Sequence, residues 1–176
     1  MGKGKIMLSA RNRTEAVEEV VFRGFRPDDL DGLFMLDQRS YPPACRLRYP
    51  QLRALLLDAD TATLVAEGRD AEGPLVIGAL MVRTEAAASR LVVLSLMVDE
   101  DFQRLGLGRR LMGWAQAACR GRGLRQVIVP LEREIAAGEP FLRALGFQPA
   151  EDGAPFFDDP QAGRLWTLAV DSGETP

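Results

Sequence analysis

The stretch from Ser89 to Leu131 decides the fold: SRLVVLSLMV (89–98), DEDFQRL (99–105), GLGRRLMGWAQAACR (106–120), GRGLR (121–125) and QVIVPL (126–131). Residues 89–98 are rich in Val and Leu and apolar on both sides, as a central strand covered on both faces must be. From Gly106 to Arg120, Leu107, Leu111, Trp114, Ala115 and Ala118 recur at helical spacing and predict one buried stripe. Residues 126–131 return to strand character. A strand, a helix and a strand in that order predict a right-handed parallel crossover.

On the N-terminal side, segments 63–67 and 74–83 read as strands joined by a turn around Asp70–Gly73. Short connections make these two and the 89–98 strand antiparallel neighbours. Val20, Phe22 and Phe25-Arg26-Pro27 form an opening strand stopped by proline, and Asp28 and Asp29 start a helix with Leu30, Leu33 and Phe34 on one face. Tyr41-Pro42-Pro43 ends that helix, and Tyr49, Leu52, Leu55 and Leu56 mark a second. On the C-terminal side, Pro140–Leu145 reads as a short helix with proline at its start and Gly146 past its end. Residues 163–170 close the chain as a strand. The order β-α-α-β-β-β-α-β-α-β, with a further short strand near Phe147 or Phe156, predicts a mixed α/β sheet with flanking helices. Residues 1–17 and 172–176 read as tails on a single domain, 18–171.

Composition narrows the chemistry. The chain has 176 residues, 47% hydrophobic and 27% charged, the balance of a soluble globular domain. Its apolar runs are too short to span a membrane, and no secretory signal is visible, so the expectation is a cytoplasmic protein with no membrane partner. Histidine is absent, which removes Ser/His/Asp and Cys/His nucleophile pairs and histidine-based zinc sites. Cys45 and Cys119 alone make no thiolate cluster, and no metal is expected. Lysine occurs only at Lys3 and Lys5, so a phosphate-loop or Schiff-base lysine is excluded. A formal net charge of −3 argues against nucleic acid and suits a cationic or amine substrate.

Chemistry concentrates between the central strand and its helix, in Val98–Leu111. Gly106 and Gly108 let backbone approach a ligand, and the first helical turn leaves N–H groups without partners. Together these predict an anion site of diphosphate size. Arg104, Arg109 and Arg110 crowd the positive end of the helix dipole. Either an anion compensates them or they point into water. A dinucleotide fingerprint fails because Leu111 stands where Gly or Ala is required.

Gln103-x-x-Gly106-x-Gly108 resembles the Q/R-x-x-G-x-G/A pyrophosphate motif of the GNAT superfamily of acyl-CoA-dependent N-acyltransferases. Phe25–Leu30 is similar to the family's first strand and helix entry, Val92–Asp101 to the strand leading into the motif, and Phe141–Phe147 to its closing helix with a Leu-Gly-Phe ending. The resemblance covers roughly residues 20 to 170. It implies acetyl-CoA as cosubstrate, lying between parted parallel strands. Backbone groups of Leu96, Met97 and Val98 would pair with pantetheine amides, and Gln103, Arg104, Leu105, Gly106, Leu107, Gly108 and Arg109 would form the diphosphate cradle. A strand N–H near Met97 would face the developing oxyanion. An amine, either a protein N-terminus or a small molecule, would attack the thioester directly. The branch that acetylates ribosomal-protein and other protein N-termini is similar in the Tyr41–Cys45 loop, and homodimers are frequent in the family.

The sequence departs from that pattern at the proton donors. Leu142 stands where many members carry a tyrosine that protonates the departing thiolate, and Ile135 where many carry asparagine. Glu132, at the end of the 126–131 strand, is the candidate general base, with Glu134 two residues on; each also reads as a solvated carboxylate. Tyr41 either lines the acceptor site or packs on the sheet, Cys45 reads as an ordinary buried thiol, and Trp114 and Trp166 as core. The rival to a transferase is an acyl-CoA-binding regulatory module with a degenerate catalytic site, which Leu142 and Ile135 favour.

Overall fold

The computed structural model describes residues 20–70, 73–150, 156–157 and 161–170. The expected tails, 1–17 and 172–176, lie outside them. The elements are β1 (Val20–Gly24), α1 (Leu30–Ser40), α2 (Tyr49–Leu56), β2 (Thr61–Asp70), β3 (Gly73–Glu85), β4 (Arg90–Val98), α3 (Leu107–Gly121), β5 (Gln126–Glu132), α4 (Glu139–Ala144), β6 (Gln148–Pro149) and β7 (Gly163–Ala169). They form one seven-stranded sheet in the order β1-β2-β3-β4-β5-β7-β6.

Only β4 and β5 run parallel, joined through α3; every other pairing is antiparallel. This is the expected mixed α/β sheet with a central crossover. The short extra strand is β6, directly after Phe147. Phe156 is not in a strand but lies under the Arg90 guanidinium, 4.7 Å from its ring centre. The β2–β3 hairpin is longer than its alternating segments predict, because pairing continues from Thr61↔Arg83 out to Asp70↔Gly73.

Side chains on alternate positions feed two cores. Leu33 and Leu36 of α1 and Leu52 and Leu56 of α2 pack with Val65, Ala79, Met81 and Met97 on one face. Leu111, Met112, Ala115 and Cys119 of α3 pack with Leu64, Leu80, Val82, Leu91 and Val93 on the other. Period-two strands and a 3.6-period helix produce this division directly. Trp166 is fully buried, and Trp114 packs half-buried against the α3 core.

Two irregularities position the site. The β3–β4 register shifts between Met81↔Ser95 and Val82↔Val93, leaving Leu94 as a bulge that bends β4. The β4–β5 pairing then ends at Val92↔Ile128, although β4 continues along β3 to Val98 and β5 along β7 to Glu132. The two central strands part beyond that point, where Pro130 offers no ladder donor.

Candidate active site

The parting of β4 and β5 opens a cavity of about 600 Å³. Its walls come from Val93–Leu96, from Val129–Glu132, from Asp37, Ser40, Tyr41 and Cys45 at the end of α1, and from Ile135, Phe141 and Leu142 beside α4. Gln103 marks its other end.

Strand alternation sets which backbone groups face the opening. Leu96 gives its N–H to the Tyr41 hydroxyl (3.1 Å), and its carbonyl accepts from the same hydroxyl (2.9 Å). Val98 offers its carbonyl to the Gln103 side-chain amide (3.2 Å). Asp99 donates its N–H to Ile77 on β3. Leu96 and Val98 therefore present their backbone groups to the cleft, while Met97, between them, turns its own to β3. Of the three strand residues expected at the cofactor, Leu96 and Val98 turn their backbone groups away from β3, and Met97 turns its own toward it.

The loop beyond β4 is held by apolar pins and local hydrogen bonds. Phe102 and Leu107 are buried with Ala66 and Ile77, leaving Gln103, Arg104, Leu105 and Gly106 exposed between them. Asp99 caps the Asp101 N–H (3.1 Å) and pairs with Arg39 of α1 (3.4 Å). Arg104 at φ 66° and Gly106 at φ 81° both occupy the left-handed region, a combination that curls successive N–H groups into a concavity. The first bond of α3 runs from the Arg110 N–H to the Gly106 carbonyl, so the amides of Leu107, Gly108 and Arg109 are the helix's unpaired donors. The missing side chain of Gly108 keeps space open: a Cβ there would stand 3.3 Å from Phe141 Cζ and 3.9 Å from Val98 Cγ2. An exposed amide cradle leading into a slot kept clear by glycine fits a diphosphate with an attached arm. One of the three crowding arginines has another explanation, because Arg110 stacks on Phe22 at 4.3 Å.

The opposite end of the cavity is acidic. Among the described residues its lining includes three carboxylates, Asp37, Glu132 and Glu134, and no basic side chain. Asp37 is fully buried. Its Oδ2 accepts from the Leu47 N–H (3.0 Å) and the Gln38 amide (2.9 Å), while Oδ1 has no partner. Burial raises its pKa above the ordinary carboxylate value, against the pull of those two donors and of Arg46. Glu132 ends β5 half-buried, facing Cys45 across the cleft. The reactive atoms of Cys45, Glu132 and Glu134 lie within 4.8 Å of one another. Burial, the hydrogen bond with Glu132 and the two carboxylate charges push the Cys45 thiol up to about 12, which makes it an inert nucleophile.

Leu142 is buried in the α3 core and Ile135 packs against it, so neither position offers a proton. Tyr41, with two sequence readings, lies in the cleft and grips β4. Asp37 was not marked by the sequence, since it looks like any polar residue on the first helix. The loop after α1 folds Leu47 back to donate its N–H to this carboxylate.

An acetyltransferase (GNAT) domain family matches residues 59–149. No curated protein matches the chain at a significant level. Among solved structures, the ribosomal-protein-S18-alanine N-acetyltransferase from Escherichia coli is similar, with 16% identity, a TM-score of 0.68, and 90% of this chain and 99% of that one covered. NAA60 of Arabidopsis thaliana, solved with a bisubstrate analogue, matches at 15% identity and a TM-score of 0.71, over 88% of this chain and 99% of that one. The PaiA N-acetyltransferase of Thermoplasma acidophilum, solved with coenzyme A, matches at 16% identity and a TM-score of 0.67, over 86% and 99%. At such identities the likeness is one of fold.

Proposed function

This chain belongs to the acetyltransferase (GNAT) family, and on that premise we propose that it transfers an acetyl group from acetyl-CoA directly to a primary amine, either a small molecule or a protein N-terminus. The observation that carries the proposal is the continuity of the cleft. It runs from Gln103, at the start of the glycine loop whose Leu107–Arg109 amides are unpaired, past the Leu96 backbone, to the carboxylates at the end of α1 and β5.

Acetyl-CoA supplies the activated acetyl group as a thioester. The amides of Arg104–Arg109 hold its diphosphate by backbone donation at a helix N-terminus, the Gln103 N–H being taken by the Glu100 carbonyl. Leu96 and Val98 take the pantetheine arm as an added strand, once the Tyr41 hydroxyl and the Gln103 amide release them. The Leu96 N–H then stabilises charge growing on the acetyl oxygen, a role typically worth about 2.7–4 kcal/mol per donor. An amine arrives as a cation, which the Asp37, Glu132 and Glu134 charges attract. Glu132 removes its proton, leaving a neutral nucleophile beside the acetyl carbon. With neither histidine nor an activated thiol in the cavity, transfer proceeds without an acyl-enzyme.

Leu142 and Ile135 favour a second reading, an acyl-CoA-binding module without turnover. One experiment separates the two. The purified protein is mixed with acetyl-CoA and a panel of amines and N-terminal peptides, and thiol release and acetylated product are followed. Amine-dependent product supports the transferase; binding of acetyl-CoA without product from any acceptor supports the module.

A further inference from the structure

Tyr41 sits where the thioester would react. Its phenol oxygen is hydrogen-bonded to both backbone groups of Leu96 and lies 3.0 Å from Ser95 Oγ. A phenol has one proton to give and two lone pairs to accept with, so it donates to the Leu96 carbonyl and accepts from the Leu96 N–H and the Ser95 hydroxyl. The Leu96 N–H is also the donor that the acetyl oxygen requires. Acetyl-CoA binding and the present Tyr41 contacts therefore compete for one group. The phenol must release that N–H and remain within reach of the thioester, since Tyr41 is packed against the core on the α1 face.

The side chains around the cavity narrow the source of a proton for the leaving group. Asp37, Glu132 and Glu134 are carboxylates. The neutral hydroxyls and thiol are those of Ser40, Ser95, Cys45 and Tyr41. Serine hydroxyls are far weaker acids than phenol, and the Cys45 thiol lies at the acceptor end, within 4.8 Å of the Glu132 and Glu134 carboxylates and not at the Leu96 backbone. We infer that Tyr41 is the catalytic proton donor to the departing thiolate, supplied from the loop after α1 in place of the closing helix, where Leu142 stands. The inference rests on the transferase reading above.

The step balances as follows. The deprotonated amine nitrogen forms a bond to the acetyl carbon, the carbon–sulfur bond breaks, and sulfur takes the Tyr41 proton. The excess proton on the new amide nitrogen returns to the phenolate through solvent in the open cleft. Burial raises the phenol pKa above its ordinary value, opposed by the Ser95 and Leu96 contacts, and so keeps the proton loaded at neutral pH.

Tyr41→Phe keeps the ring and removes the proton. General acid catalysis contributes about 10²–10⁴-fold, so kcat falls by at least about a hundredfold, while calorimetric affinity for acetyl-CoA stays level or rises because the competing contact is gone. The chain has two tyrosines, and Tyr49→Phe leaves Tyr41 as the sole site for a fluorotyrosine. In that protein the ¹⁹F resonance shifts on adding CoA, and the alkaline limb of the rate profile moves down with the acidity of the fluorinated phenol. A kcat for Tyr41→Phe within about threefold of the parent, a loss confined to acetyl-CoA affinity, or an alkaline limb that ignores fluorination overturns the inference. A parent protein that binds acetyl-CoA and acetylates no amine overturns the transferase reading itself and the inference with it. If Tyr41→Phe does not fold, the fluorotyrosine series decides alone.

Discussion

Gly108 gives the sharpest test of the cofactor cradle. Its φ is not in the left-handed region, so a side chain there meets contacts and not backbone strain. The first added carbon would lie 3.3 Å from the tip of the Phe141 ring, which is half-buried and can yield, and 3.9 Å from Val98. Replacing a helical glycine with valine, itself a weak helix former, recovers only about 0.4 kcal/mol of helix propensity. The branch of a valine adds crowding against Phe141 and Val98 at about 1–3 kcal/mol. Gly108→Val should therefore cost no more than about 3 kcal/mol, a shift of roughly 10 °C or less in Tm for a chain of this size. Ligand binding should respond far more. The added methyls stand between the unpaired amides and the opening beside Val98, and displacing a diphosphate from two donors forfeits charged hydrogen bonds of about 1.5–3 kcal/mol each. Affinity for acetyl-CoA should fall at least about a hundredfold, at 1.4 kcal/mol for each factor of ten. Titration calorimetry beside a thermal melt measures both quantities. A folded Gly108→Val protein that binds acetyl-CoA like the parent would show that the cradle reasoning is wrong.

Two further outcomes follow from named contacts. Glu132→Gln should lower turnover at neutral pH about a hundredfold or more while changing acetyl-CoA affinity little, with Glu134→Gln as the matched control; a Glu132→Gln rate equal to the parent's moves the base elsewhere. Asp29 is 7% exposed and takes a two-pronged bond from Arg23, both contacts at 2.8 Å. Burial pushes its pKa up, but Arg23 and the Arg26 N–H outweigh this and hold it below the ordinary 3.8. Because the folded pKa is depressed, its stabilisation is present above the unfolded value and lost as pH falls through the folded one. Asp29→Asn should thus be less stable than the parent by about 3–5 kcal/mol near pH 7, and the gap should begin to narrow below about pH 4 and shrink further as the pH is lowered. A gap that does not narrow with acid would assign the loss to packing and not to charge.

The elements were legible where one period dominates. Residues 106–120 carry an apolar stripe at helical spacing, and α3 forms there as Leu107–Gly121. Residues 126–131 are a strand, and β5 is Gln126–Glu132. The opening strand, by contrast, ends at Gly24 and not at proline, because Pro27–Asp29 forms a single tight turn that places Asp29 on Arg23. The glycine loop was legible as a strand-to-helix turn, since Gly106 takes the left-handed conformation that glycine adopts most readily. The direction of each backbone group was not: the Leu94 bulge sets which of Leu96, Met97 and Val98 faces the cleft, and a register shift leaves no mark in composition. The same holds for Tyr41 and Asp37, whose partners Leu96 and Leu47 lie 55 and 10 residues away.

The central claim is that the parted strands and the glycine loop together hold an acyl-CoA. Calorimetric titration of the purified chain with acetyl-CoA, with CoA and ATP as comparisons, tests it most directly. The account predicts binding of acetyl-CoA and CoA at about micromolar dissociation constants, with ATP clearly weaker because it lacks the arm that lies along Leu96 and Val98. Equal binding of all three would reduce the site to a phosphate loop, and no binding of acetyl-CoA would contradict the account outright.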